Sequence, residues 1–93
     1  MNLKLNYTPL ALADISRLID FNASKAPIAA QCIQSELVSK LGNLREFPEA
    51  GHIVKGQVRQ YIAGDYVSYY LIREEQVVIL RIWHQKELRA FQK

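Results

Sequence analysis

The chain has 93 residues, 49% hydrophobic and 23% charged, a balance that excludes disorder and leaves room for one core in one domain spanning residues 1–93. Cys32 is the only cysteine and His52 and His84 stand far apart, so there is no intrachain disulfide, no familiar metal-ligand spacing and no cofactor to expect. The net charge of +3 is carried by Arg81, Lys86, Arg89 and Lys93 against Glu87 (4 − 1 = 3), while the rest of the chain balances to zero.

Such mild basicity suits nucleic acid or an acidic protein partner. The opening MNLKLNY lacks the apolar core of a signal peptide, and no apolar run reaches membrane-spanning length, so a cytoplasmic protein without an anchor is expected.

Leu3, Leu5 and Tyr7 alternate with polar residues, the pattern of a short half-buried strand. Thr8 then offers an N-cap and Pro9 a first helical residue. The spacing predicts a helix over 9–22, with Leu12, Ile15, Ile19 and Asn22 on the packed stripe, Leu18 and Phe21 broadening it, and Asp14, Arg17 and Asp20 facing water. A second helix is predicted over 27–45, with Ile33, Leu37, Leu41 and Leu44 inward and Cys32 and Val38 beside them. The short connection makes the two an antiparallel hairpin.

Pro48 and Gly51 stop and turn the chain, and three strands follow near 57–62, 66–73 and 77–84. Their short links demand an antiparallel meander. The last strand, with Val78, Leu80 and Ile82 alternating against Val77 and Ile79, reads as a central strand covered on both faces. The order β-α-α-β-β-β gives an α+β fold, a helical hairpin on a mostly antiparallel four-stranded sheet.

Alternation puts Arg81 and Trp83 on one face of the last strand and His84 on the other. Arg81 interrupts an apolar strand and must reach water, a carboxylate or a ligand. A histidine at a strand end is by default solvated or bonded to backbone, and a tryptophan there is more often an edge of the core than an anchor. Glu46, Glu49 and His52 near the turn show no spacing that specifies acid–base work, and no nucleophile motif or phosphate-binding loop is present.

The segments FPEAG and VRQYIAGDYVSYYLIREEQVVILRIWH resemble the C-terminal half of the RelE/ParE superfamily of bacterial type II toxin-antitoxin toxins, and the helical hairpin sits where that family has it. The resemblance implies a growth-inhibiting toxin neutralised by a cognate antitoxin, whose flexible segment wraps the toxin. An acidic antitoxin engaging the cationic tail is expected here. RelE-like members cleave messenger RNA in the ribosome, and Arg59, Arg81 and His84 stand where cleaving members often carry functional side chains. ParE-like members poison DNA gyrase. The tail QKELRAFQK has no tyrosine, only Phe91, which cannot move a proton. The resemblance therefore favours a ParE-like gyrase inhibitor, with Arg81, Trp83, His84, Lys86, Arg89 and Phe91 as the partner-binding surface. A ribosome-dependent endoribonuclease and a non-toxic partner-binding module stay open as alternatives.

Overall fold

A computed structural model describes residues 3–23 and 27–87, with side chains described outside 21–34. Thr8 Oγ1 accepts the Ala11 N–H at 3.1 Å, the N-cap expected ahead of Pro9. The elements run β1 (Lys4–Tyr7), α1 (Pro9–Ala23), α2 (Pro27–Gly42), a 3₁₀ turn (Asn43–Arg45), β2 (His52–Lys55), β3 (Val58–Ala63), β4 (Tyr66–Arg73) and β5 (Gln76–His84).

The sheet has five strands in the order β1-β5-β4-β3-β2. β1 pairs parallel to β5, and the pairs β2–β3, β3–β4 and β4–β5 are antiparallel. β2 is the strand the sequence did not announce. Its four residues are all exposed, so the segment has no hydrophobic alternation by which to recognise it.

The helical hairpin packs on one face of the sheet. There Leu18, Leu37, Leu41 and Leu44 close over Tyr70, Val77, Ile79 and Ile82. The expected stripe of α1 needs correction. Leu12 is 55% exposed, whereas Ala11 is buried and Asp14 is only 2% exposed. The packed positions Ala11, Asp14, Ile15 and Leu18 still keep helical spacing. They are rotated toward the small alanine, which lets the helix approach the sheet. Val38 is exposed rather than beside the core. Ile33, Cys32, Phe21 and Asn22 lie outside the described side chains.

β5 also departs from simple alternation. Tyr69 pairs with Arg81 and Tyr70 with Ile79, which leaves Leu80 as an extra residue in a bulge. A bulge resets the side-chain parity of the strand, so Ile82 returns to the helix face with Val77 and Ile79 instead of joining Val78. β5 lies second from the edge of the sheet, and the helices cover only one of its faces. β5 is interior, paired by β1 on one side and β4 on the other as a central strand should be, but Val78 and Leu80 are half-buried rather than enclosed.

Candidate functional site

β1 stops at Tyr7, opposite Ile79, and leaves the second half of β5 without a strand neighbour on that side. Polar side chains take its place. Thr8 N–H donates to Ile79 O at 3.1 Å, and Thr8 Oγ1 donates to Leu80 O at 3.0 Å. Asp14 Oδ2 accepts the Ile82 N–H at 2.9 Å, Arg17 Nη2 donates to Ile82 O at 3.2 Å, and Glu87 Oε1 accepts the His84 N–H at 3.0 Å. The bare strand edge, a liability in itself, is thereby satisfied.

The same groups form an ionic cluster. Arg81 reaches Asp14 through two bonds, Nε to Oδ2 at 2.7 Å and Nη2 to Oδ1 at 3.1 Å. Arg17 pairs with the same carboxylate and, at 3.1 Å, with Glu87. Burial on its own pushes the Asp14 carboxyl up, but the bonds from Arg81, the Ile82 N–H and Arg17 outweigh it and hold the group below the usual carboxylate range. The bond to Asp14 raises the Arg81 guanidinium in turn. Both guanidinium carbons lie near the Trp83 ring, Arg81 at 4.5 Å and Arg17 at 5.0 Å from its centroid, within cation–π range.

Of the three ways open to the charge in the apolar strand, Arg81 takes the carboxylate, that of the buried Asp14. Asp14 and Arg17, expected on a solvated face, are the missed members of this site, together with Glu87. One signal was available: an arginine inside an apolar strand must reach water, a carboxylate or a ligand. Which of these it reaches, and where, was missing.

His84 lies apart from that cluster. It pairs with Tyr66 across the strands, and the two rings meet edge-on at 5.3 Å. His84 Nδ1 accepts the Lys86 N–H at 3.1 Å. The ring lines a cavity of about 300 Å³ with Glu36, Lys40, Asp65 and Tyr66, between α2 and the β3–β4 turn.

Arg59 occupies a third place. It pairs with Tyr70 and donates through Nη1 to Gly51 O at 2.8 Å. Tyr66 and Tyr70, the strand partners of His84 and Arg59, are four residues apart, which is about 13 Å along a strand. Arg81, opposite Tyr69, points to the other face. Arg59, Arg81 and His84 do not converge on one point. The face with Arg81 and Trp83 also carries Ile62, Val67 and Tyr69, and Lys86 is exposed. Arg89 and Phe91 lie outside the described residues. Among the described residues no group of His, Cys, Asp and Glu is placed to hold a metal ion, and no helix is long and apolar enough to cross a membrane.

Relatives place this architecture. The family model of the ParE toxin of the type II toxin-antitoxin system parDE matches residues 5–89. Toxin RelE2 of Caulobacter vibrioides is 31% identical over 83 residues, covering 88% of this chain and 94% of its own. Among solved structures, a chain of the chromosomal ParDE toxin-antitoxin system from P. aeruginosa superposes with a TM-score of 0.80 at 19% identity, over 88% of this chain and 95% of that one. A chain of the RelBE2 toxin-antitoxin complex from Mycobacterium tuberculosis superposes with a TM-score of 0.66 at 21% identity, over 90% and 99%. At these identities the structures speak for the fold. The match over nearly the whole sequence, to a family whose fold this sheet and hairpin share, shows that the chain belongs to the ParE toxins of type II toxin-antitoxin systems, within the RelE/ParE superfamily.

Proposed function

We propose that this toxin acts in the cytoplasm as a single domain by binding and poisoning DNA gyrase, and that a cognate antitoxin neutralises it. The observation that carries this reading is the separation of the groups a nuclease would need. Cleavage of RNA by a ribose 2′-OH needs a base, an acid and a cation grouped around one phosphate. Arg81 is engaged with Asp14, Arg59 with Gly51, and His84 sits on the opposite face from Arg81. A toxin that works by protein contact needs no such convergence. Arg81, Trp83, His84 and Lys86, with Arg89 and Phe91 beyond the described residues, then serve as contact residues on two sides of one sheet end. Support for the antitoxin comes from the two solved relatives, which belong to ParDE and RelBE2 toxin-antitoxin pairs.

The test runs a gyrase supercoiling and cleavage-complex assay beside primer extension on messenger RNA from translating extracts, with wild type and His84→Gln. The expected result is gyrase inhibition that His84→Gln changes by less than about tenfold, with no codon-phased cuts. A general acid or base contributes at least about 10²-fold. Phased cuts that vanish in His84→Gln, with gyrase untouched, would replace this reading with the ribosome-dependent nuclease.

A further inference from the structure

The strand β5 ends at His84 and residues 85–87 are already helical, with no glycine or proline between to mark the change. Two side chains stabilise the transition. His84 Nδ1 accepts the Lys86 N–H at 3.1 Å, and Glu87 Oε1 accepts the His84 N–H at 3.0 Å. With His84 as the N-cap, its ring serves the second helical N–H, and the carboxylate at the third helical position reaches back to the N–H of the cap. That reciprocal exchange is a capping box, which satisfies two donors at a helix start from within the same four residues. The usual box opens with serine or threonine. Here a histidine ring fills that place, so the sequence pattern does not announce it.

Two other elements hold the box. Arg17 Nη2 on α1 donates to the same Glu87 oxygen at 3.1 Å. Gln85 N–H donates to Asp65 O and Gln85 Nε2 to Gly64 O, both at 2.9 Å, which ties the first helical residue to the β3–β4 turn. His84, Gln85 and Glu87 are therefore engaged inside the chain, and among residues 84–87 only Lys86 is exposed. What these bonds fix is the direction in which the chain leaves the sheet. They also bear on His84 itself. A proton-transfer group or an interface anchor works by meeting its partner directly, whereas one nitrogen of this ring is committed to a backbone N–H two residues on.

We propose that Glu87 and His84 are positioning residues: they start a helical turn at the end of β5 and aim it, so that Lys86 and the cations after it meet the partner from one fixed direction. The role rests on the reading given above, in which this end of the sheet is the contact surface. A charge carried on fixed backbone loses less freedom on binding, and that is what the box contributes.

The test pairs a variant that removes each half of the box with one that keeps it: Glu87→Ala against Glu87→Gln, and His84→Ala against His84→Asn. Glutamine still accepts the N–H of the cap, and asparagine is among the best N-cap residues. Amide hydrogen exchange, growth arrest on induction without antitoxin, and binding to purified gyrase subunits are measured for wild type and all four. Glu87→Ala is expected to speed exchange of the His84 N–H, and His84→Ala that of the Lys86 N–H, each by about fivefold, the size of a lost N-cap. Arrest and binding should weaken by about the same factor, and glutamine or asparagine should restore both to within about twofold. Glu87→Gln keeps the cap without the charge facing Arg17, so a Glu87→Gln protein as weak as Glu87→Ala would assign the effect to the ion pair and overturn the proposal. Arrest lost as fully in His84→Asn as in His84→Ala would make the imidazole itself the acting group and do the same, as would arrest that neither alanine variant changes. A wild type that does not arrest growth would overturn the role together with the toxin reading. If the wild type arrests growth without binding gyrase and the arrest follows the paired variants, the gyrase reading falls and the positioning role stands.

Discussion

Asp14 on the first helix and Arg81 on the last strand, 67 residues apart in the chain, meet through two hydrogen bonds of 2.7 and 3.1 Å. The Asp14 carboxylate also takes the Ile82 N–H, so one side chain neutralises a strand-borne charge and completes a sheet edge. That makes it the residue on which helix, sheet and the segment after β5 depend together.

Asp14→Asn is expected to destabilise the fold by about 3 kcal/mol, the low end for breaking a buried pair. The reduction reflects partial exposure of the arginine side chains, 35% for Arg81 and 38% for Arg17, which water screens. Urea denaturation of the two proteins measures the difference. A change under about 0.5 kcal/mol, the size of an ordinary surface substitution, would show that the cluster is incidental.

The same carboxylate sets a direction for acid sensitivity. Its folded pKa is depressed below an unfolded value of about 3.9, so between the two the unfolded chain binds more protons and stability falls as pH falls. The contribution is fully present above about pH 5 and is lost progressively through 3.9 toward the folded value. Melting temperatures taken from pH 6 down to pH 3 should converge for wild type and Asp14→Asn. Parallel curves would assign the acid sensitivity to other carboxylates.

The β4–β5 hairpin turns on Glu74 and Glu75, both with positive φ, 50° and 62°, between the paired residues Arg73 and Gln76. A two-residue turn of this kind favours Asn-Gly, and glutamates held left-handed each cost about 1 kcal/mol or more. The double change Glu74→Asn, Glu75→Gly should raise stability by about 1–2 kcal/mol, read as a higher urea midpoint with the same slope. The Lys4 N–H to Glu75 O bond is made by backbone and survives the exchange.

Leu37 is 3% exposed in the core under α2, and Leu37→Ala is expected to remove about 2–5 kcal/mol. For so small a domain this is a large share of the total, and toxicity should fall with soluble, folded protein. A variant melting within a degree or two of wild type would mean that α2 can slide to refill the site.

The sequence by itself determined what neighbours in the chain decide. Thr8 and Pro9 start α1 because cap and first turn are built from residues three apart, and the core positions Leu37, Leu41, Leu44 and Ile79 follow from periodicity. The short links among the last strands could only make hairpins. It also showed that Arg81 had to reach water, a carboxylate or a ligand, since a charge in an apolar strand cannot stand alone. What only the tertiary structure decided involves distant pairing. The bulge at Leu80 exists because Tyr69 and Tyr70 fix the register opposite it, and no hydropathy pattern records a register. Asp14 turns inward because β1 ends early and leaves the Ile82 N–H open, a vacancy created 68 residues away. Arg59, His84 and Arg81 are separated by the faces and ends of a sheet whose strand β2 carried no signal of its own, so cations that look like neighbours in a motif come to lie at three different places.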